Sequence, residues 1–361
     1  MNICKVCYNY PMKTIKDIDV KNKTILMRVD YNVPLKDGQI SDDLRIRASL
    51  PTINYLLDHG AKRIILISHL GRPKGQENTD YTLSPVADSL RQLLPKQKIG
   101  FYPLPQPGKT IPIPSNVNIV LLENLRFDPG EEANSSDFIG NIVHATNPDF
   151  YVQDGFAVIH RAHASTDAIK HHLPIYAGLL LENEIHNLST VLEHPASPIL
   201  LIIGGAKVED KQPLIDKFIA KADHIYVGGK IAADGYQSDN SKITVAADFD
   251  KNENGDKLDI GPLSTGELAN LITDANTIIW NGLLGYAEDP AYATASTITA
   301  ELIGEKRGAT TIVCGGDTTG FVEQLMHDHD SLQYSLVSTG GGAALEFLLG
   351  KELPGLTPIA P

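Results

Sequence analysis

Short apolar runs recur along the chain, each followed at once by a helix-like segment or a polar loop. In the first half they cover residues 24–29 (TILMRV), 63–68 (RIILIS), 117–122 (VNIVLL) and 149–152 (DFYV). In the second half they cover 199–203 (ILLII), 224–227 (HIYV), 277–280 (TIIW), 310–314 (TTIVC) and 335–338 (SLVS). The runs are short, rich in β-branched residues and apolar on both faces, which predicts parallel strands buried beneath helices. Helical spacing appears between them, over 44–59, 84–94, 211–221 and 318–327. Alternating strand and helix means α/β with parallel sheets. The runs are too many for one comfortable sheet, so the fold expected is α/β with two doubly wound parallel-sheet domains. The apolar-then-acidic stretch 178–192 reads as a helix bridging them, and the Pro-rich tail 351–361 as a segment running back across the surface.

Ligands of open α/β sheets bind beyond the carboxyl ends of the strands. In the first half those ends are polar and basic: Asp30, Tyr31 and Asn32; His69, Leu70, Gly71 and Arg72; Glu123, Asn124 and Arg126; Asp154, His160, Arg161 and His163. Arg45 opens the first helix. Any one of these arginines alone reads as a surface salt bridge. Four gathered at the mouth of one sheet point to a small, multiply anionic ligand, because the guanidinium fork matches phosphate and carboxylate oxygens.

In the second half the strands end in glycine: Gly204-Gly205 before Lys207, Gly228-Gly229, Asn281-Gly282, Gly315-Gly316 before Asp317 and Thr318, and Gly340-Gly341-Gly342. A single Gly-Gly is ordinarily a turn. Repeated at every strand end it points to a nucleotide or polyphosphate, which glycine lets the backbone approach closely and helix N-termini bind. There is no GxxxxGK[ST] and no GxGxxG after a strand, which excludes a Walker-type loop and weakens a dinucleotide reading. Lys207 and Lys211 are four apart, so both can face phosphates, although a solvated helix face would show the same spacing. Asp317 suits Mg²⁺ on phosphates or, alternatively, an N-cap.

Composition narrows the class. The chain has 361 residues, Lys+Arg 31 against Asp+Glu 44, and a net charge of −13. That balance argues against a general nucleic-acid or anionic-membrane binder and leaves room for a local basic pocket. No apolar run approaches a membrane span or a secretory core, and Cys 3 cannot make a disulfide framework, so a cytoplasmic protein is expected. Cys314, after an apolar strand, reads as a core thiol.

One half-site for a small anion and another for a nucleotide fit a phosphotransferase. No convincing general base is present. An acceptor already ionised needs none: a carboxylate accepting phosphate to give an acyl phosphate requires only positioning and charge neutralisation.

The motifs RVDYNVPLKDGQISDDLRIRASLPTI, SHLGRPKG, LLENLRFDPGEE, HRAHAST, GGAKVEDK, LDIGP, WNGLLGYAE, CGGDTTG and STGGGAALEFLLGKELPG stand in an order that resembles phosphoglycerate kinase along nearly the whole chain. The resemblance implies two Rossmann-like domains joined by a hinge and closing over their ligands. The expected division is residues 12–180 for 3-phosphoglycerate, 181–345 for nucleotide, and 346–361 returning to the first domain. The implied reaction is reversible, Mg²⁺-dependent phosphoryl transfer from 1,3-bisphosphoglycerate to ADP, giving 3-phosphoglycerate and ATP in glycolysis. Its partners would be these small molecules, with no nucleic acid and no membrane, and the protein a monomer.

By resemblance, Asp30, Tyr31 and Asn32 contact the glycerate, Arg45 is the catalytic arginine, and His69, Leu70, Gly71, Arg72, Arg126 and Arg161 surround the non-transferring phosphate. Lys207 follows the moving phosphoryl group, which Gly341 and Gly342 receive. Gly205, Lys211, Gly228, Gly229, Asn281, Gly315, Gly316 and Thr318 surround the nucleotide, Glu288 takes the ribose, and Asp317 couples to Mg²⁺. Two other readings stay in view: a dehydrogenase on a similar fold, and a catalytically weak relative that binds a nucleotide or phosphometabolite.

Departures from the family pattern gather near the nucleotide base: Lys230 after VGG, a short stretch 232–259, Leu283 in place of the usual proline, and Ala287 in place of an aromatic. The segment VQDGFAVIHRAH also departs, but keeps Arg161. Residues 1–11 (MNICKVCYNYP) have no counterpart in the resemblance and are expected to be an extraneous extension; the lone Cys4-x-x-Cys7 is a weak metal or redox signal.

Overall fold

The structure is a computed structural model that describes residues 12–359; the 1–11 extension, with Cys4 and Cys7, lies outside the described residues. The described residues form two compact units, one made of 12–184 with 352–359, the other of Ile185–Lys351. The chain thus passes between units at 184/185 and 351/352, against the expected 180/181 and 345/346.

Unit 1 runs β1 (Thr24–Arg28), a hairpin of β2 (Leu35–Lys36) and β3 (Gln39–Ile40), α1 (Leu44–Asp58), β4 (Arg63–Ile67), α2 (Ser84–Leu93), β5 (Ile99–Tyr102), β6 (Ile119–Leu122), α3 (Pro129–Glu132), α4 (Ser136–Thr146), β7 (Phe150–Gln153) and β8 (Ile175–Ala177). Its sheet has six parallel strands in the order β5-β6-β4-β1-β7-β8. The central strands are buried on both faces, which is why they read as unbroken apolar runs. Helix α5 (Leu179–Glu193) then carries the chain onward.

Unit 2 runs β9 (Ile199–Ile203), α6 (Val208–Phe218), β10 (His224–Val227), α7 (Gly229–Ala233), β11 (Ile243–Val245), a hairpin of β12 (Phe249–Lys251) and β13 (Lys257–Ile260), α8 (Pro262–Asp274), β14 (Thr277–Asn281), α9 (Thr294–Glu305), β15 (Thr310–Cys314), α10 (Gly316–Asp328), β16 (Leu336–Val337) and α11 (Gly341–Leu348). Its sheet is also six-stranded and parallel, in the order β11-β10-β9-β14-β15-β16. In both units the order reverses beside the first strand, and the special residues follow the strands there.

The strands that periodicity did not reveal are the sheet-edge strands β5, β8 and β11 and the two hairpins. β5 and β11 are only half-buried and β8 is three residues long, so none carries an extended apolar run. Helix α6 begins three residues before the expected 211, which puts Lys207 at its N-cap and Lys211 one turn in. After Lys351 the tail buries Leu353 and Ile359 in unit 1, and the Gly355 N–H donates to the Ile159 carbonyl at 2.8 Å.

Candidate functional site

Strands β1, β4, β6 and β7 of unit 1 deliver their C-terminal residues to one place. Asp30 is buried there and holds Arg45 by a 2.8 Å ion pair to Nη1; the same nitrogen donates to the Asn32 carbonyl at 3.0 Å. Neither Nε nor Nη2 of Arg45 donates a hydrogen bond among the described residues, so that edge of its fork is available to an anion. The Asn32 side chain accepts from the Gly71 N–H at 2.8 Å, and the Gly71 carbonyl accepts from Arg126 Nη1 at 2.8 Å. Gly71 has φ +60°, and a Cβ on it would come within 2.3 Å of the Tyr81 ring, so glycine is required at this turn. Arg126 is buried and pairs through Nε with Glu132 at 3.1 Å, while its Nη2 has no hydrogen-bond partner. Arg161 Nε donates to His160 Nε2 at 3.1 Å.

His69 reports how closely the cations gather. Burial first, then the charges of Arg28, Arg126, Arg161 and Arg45, hold its imidazole well below the usual histidine range. His163 is pushed down to about 4 by burial and by Arg126, Arg28, Arg161 and His160. Both rings are therefore neutral near pH 7, amid arginines that remain charged.

Arg28 has the largest electrostatic effect on His69, and the pattern reading passed over it. It is 1% exposed, at the end of β1. Nε donates to Ser165 Oγ at 3.0 Å, Nη1 to the Val29 carbonyl at 2.7 Å, and Nη2 to His69 Nδ1 at 3.1 Å. Ser165 donates in turn to the buried Glu131, through Oγ at 2.6 Å and N–H at 3.0 Å. A charged residue inside the otherwise apolar TILMRV was the available signal.

Two expected residues lie differently from the rest. The Tyr31 ring is wholly buried with its hydroxyl 2.9 Å from Ser49 Oγ, so only its backbone borders the site. Arg72 is exposed, whereas Arg126 is buried. Leu70 is buried and contributes its carbonyl, which accepts from Asn124 at 2.7 Å.

In unit 2 the loops after β9, β10 and β14 touch through backbone. A Cβ on Gly204 would meet the Leu283 carbonyl oxygen at 2.2 Å, and one on Gly282 would meet that of Gly204 at 2.2 Å. Gly205 N–H donates to the Leu283 carbonyl at 2.8 Å. The loops after β15 and β16 also approach through backbone: a Cβ on Gly341 would lie 2.9 Å from the Gly316 nitrogen.

Beside these turns is a cavity of about 460 Å³, lined among others by Gly205, Lys207, Lys211, Gly229, Gly282, Glu288, Gly315, Gly316, Asp317 and Thr318. Lys207, Glu288 and Asp317 are exposed on it. Lys211 is half-buried, bonded to the Asn281 side-chain oxygen, and burial lowers its pKa. Asn281 is itself buried and also donates to Cys314 Sγ at 3.1 Å, so it positions Lys211. Thr318 Oγ1 accepts from the Gly282 N–H at 2.9 Å, tying two loops together. Gly228, beneath Leu284, and the exposed Gly342 do not line the cavity. Phe249, Lys257 and Leu258, on the β12–β13 hairpin, line it and were not singled out.

The family model for phosphoglycerate kinase matches residues 15–246 and 232–351. The chain is 39% identical to phosphoglycerate kinase of Fervidobacterium nodosum, over 96% of this chain and 98% of that one. It is 38% identical to that of Moorella thermoacetica with the same coverage. Phosphoglycerate kinase from Coxiella burnetii matches in structure with a TM-score of 0.78 at 30% identity, over 97% of this chain and 99% of that one.

Proposed function

The chain belongs to the phosphoglycerate kinase family, phosphotransferases with a carboxyl acceptor, and on that premise we propose how its residues divide the work of the reaction. The reaction moves a phosphoryl group reversibly between the carboxyl of 3-phosphoglycerate and ADP. No observation favours a catalytically weak relative.

Unit 1 holds the phosphoglycerate. The observation that carries this reading is the convergence of Arg28, Arg45, Arg126 and Arg161 on one buried, neutral histidine. Arg126, with a buried and unpartnered Nη2, and Arg161 grip the non-transferring phosphate, with Arg72 reaching in from the exposed rim. Asp30 and Asn32 bind the glycerate. Arg45, anchored by Asp30 through Nη1 alone, places its other nitrogens on the transferring group, where charge builds in the transition state.

Unit 2 holds the nucleotide in its cavity. Lys211 meets the phosphates, Lys207 follows the moving phosphoryl group to the α11 N-terminus, and Glu288 takes the ribose. The described residues hold no group of three or more His, Cys, Asp or Glu suited to a metal ion. Asp317 is an exposed carboxylate beside the glycine turns, which fits Mg²⁺ arriving on the nucleotide with phosphate oxygens and water as its other ligands. Bound there, the ion would neutralise phosphate charge. The acceptor carboxylate is ionised, so no residue has to remove a proton from it.

We also read the protein as a cytoplasmic monomer acting on small molecules alone, without nucleic acid or membrane. No described helix is long and apolar enough to cross a membrane. Only Leu263 and Tyr286 are large exposed apolar side chains among the described residues, which supports a monomer.

The test is Arg45→Ala, assayed by ATP-dependent phosphorylation of 3-phosphoglycerate. Turnover should fall on the order of 10³-fold, while the Kd for 3-phosphoglycerate changes far less. Equal losses in both would remove the transition-state role.

A further inference from the structure

Glu288 lines the cavity of unit 2 as an exposed carboxylate with no hydrogen bond or ion pair among the described residues. Its place on the wall is therefore set by the backbone that carries it, the loop 285–293 between β14 and α9. Both ends of that loop are tied to one side chain, Asp259 of β13, which is 2% exposed.

At the start of the loop Gly285 lies against the carboxylate, and a Cβ there would come within 2.3 Å of Oδ1. The following Tyr286 N–H donates to the Leu258 carbonyl at 2.8 Å. At the far end the Ala295 N–H, in the first turn of α9, donates to Asp259 Oδ2 at 3.0 Å. The Ile260 N–H donates to Oδ1 at 2.9 Å and fixes the carboxylate on its own strand. The two ends also meet each other, since a Cβ on Gly285 would lie 2.2 Å from the Tyr292 carbonyl oxygen. Inside the loop, the Asp289 N–H donates to the Tyr286 carbonyl at 3.1 Å and the Tyr292 N–H to that of Asp289 at 2.9 Å. These turns keep the loop's shape but do not attach it to β13. Burial raises the Asp259 carboxyl to about 6, against the pull of the N–H groups of Ala295 and Ile260, so it is ionised near pH 7 and accepts through both oxygens.

We infer that Asp259 is a positioning residue for the nucleotide's ribose: by holding both ends of the loop it sets where Glu288 stands. This inference rests on Glu288 taking the ribose hydroxyls. A hydroxyl-to-carboxylate hydrogen bond weakens steeply when its geometry is lost. Loosening the loop therefore removes the hydroxyl contribution and leaves the contacts of Lys211 and the glycine turns with the phosphates in place.

Calorimetric titration of wild type, Asp259→Asn, Glu288→Gln and the double variant tests this, with Mg-ADP and with the Mg complex of a dideoxy-ADP lacking both ribose hydroxyls; kcat is measured alongside. Asparagine matches aspartate in size but turns one acceptor into a donor facing an N–H, which releases one end of the loop. Asp259→Asn should weaken ADP binding about tenfold, leave dideoxy-ADP binding and saturating kcat within about twofold, and add nothing further in the Glu288→Gln background. An unchanged ratio of ADP to dideoxy-ADP affinity in Asp259→Asn, or additive effects in the double variant, would overturn the inference and leave Asp259 a structural residue. A Glu288→Gln variant that keeps the full preference for ADP would overturn the ribose assignment, and the inference with it. Should Asp259→Asn fail to fold, Gly285→Ala strikes the same contact from the loop side and decides on the same readout.

Discussion

At the scale of single residues, the side chain that orders the anion site is one the ligand need not touch. Arginine only donates, so the 3.1 Å contact from Arg28 makes His69 Nδ1 an acceptor and leaves the proton on Nε2. The ring is neutral, yet it can still donate toward an anion. Ser165 and Glu131 fix Arg28 from behind. Arg28→Met should release both ends of this chain, raise the His69 pKa toward its ordinary value and cost about 2–3 kcal/mol of stability. Nitrogen NMR of the His69 ring checks it: an unchanged tautomer and pKa would leave Arg28 a packing role only.

At the scale of elements, α5 starts on a buried carboxylate. Asp154 Oδ1 accepts from the N–H groups of Leu180 at 3.0 Å and Leu181 at 3.4 Å, and a Cβ on Gly178 would strike it at 2.1 Å. Its other oxygen has no hydrogen-bond partner. Burial pushes its carboxyl up to about 7, against the hydrogen bonds from Thr52 and the helix N-terminus. With the folded pKa above the unfolded one, the group's stabilisation is full below about pH 4 and is lost as pH rises toward 7. His69 and His163 act oppositely: their folded pKa values are depressed, so their stabilisation is present above about pH 6.5 and fades as pH falls toward 4. Asp154→Asn keeps the cap acceptor and removes the titration. Its stability relative to wild type should therefore climb between pH 4 and 7, by at most about 1.4 kcal/mol per pH unit. Urea unfolding at several pH values measures this; a flat difference would mean Asp154 titrates normally.

At the scale of the whole molecule, unit 1 is closed by residues far from it in sequence. Leu353 and Ile359 are both about 1% exposed, and Gly355 passes so close to Ile159 that a Cβ would lie 2.8 Å from its Cα. Burying two such aliphatic side chains stabilises by about 3–6 kcal/mol. Ile159 is two residues from Arg161, so the tail also braces the anion site. Deleting residues 352–361 should lower the melting temperature and abolish the thermal gain from 3-phosphoglycerate, while the gain from Mg-ADP survives in unit 2. Undiminished 3-phosphoglycerate binding would show that the tail only covers surface.

The sequence by itself determined the fold class, the central strands and the placement of arginine in one half and glycine in the other. Runs apolar on both faces have only one stable home, the middle of a parallel sheet, and the residues after them must emerge at its carboxyl edge. The edge strands β5, β8 and β11 escaped because a half-exposed or three-residue strand has no extended apolar period to read. Tertiary structure alone decided that Tyr31 turns inward to Ser49 while Arg28, in the same apolar run as its neighbours, turns toward His69 and Ser165. It alone brought Lys257 and Phe249 from a hairpin to the nucleotide cavity. Which buried polar group finds which partner depends on contacts distant in sequence, Arg28 with Ser165 being 137 residues apart, and no local pattern encodes those.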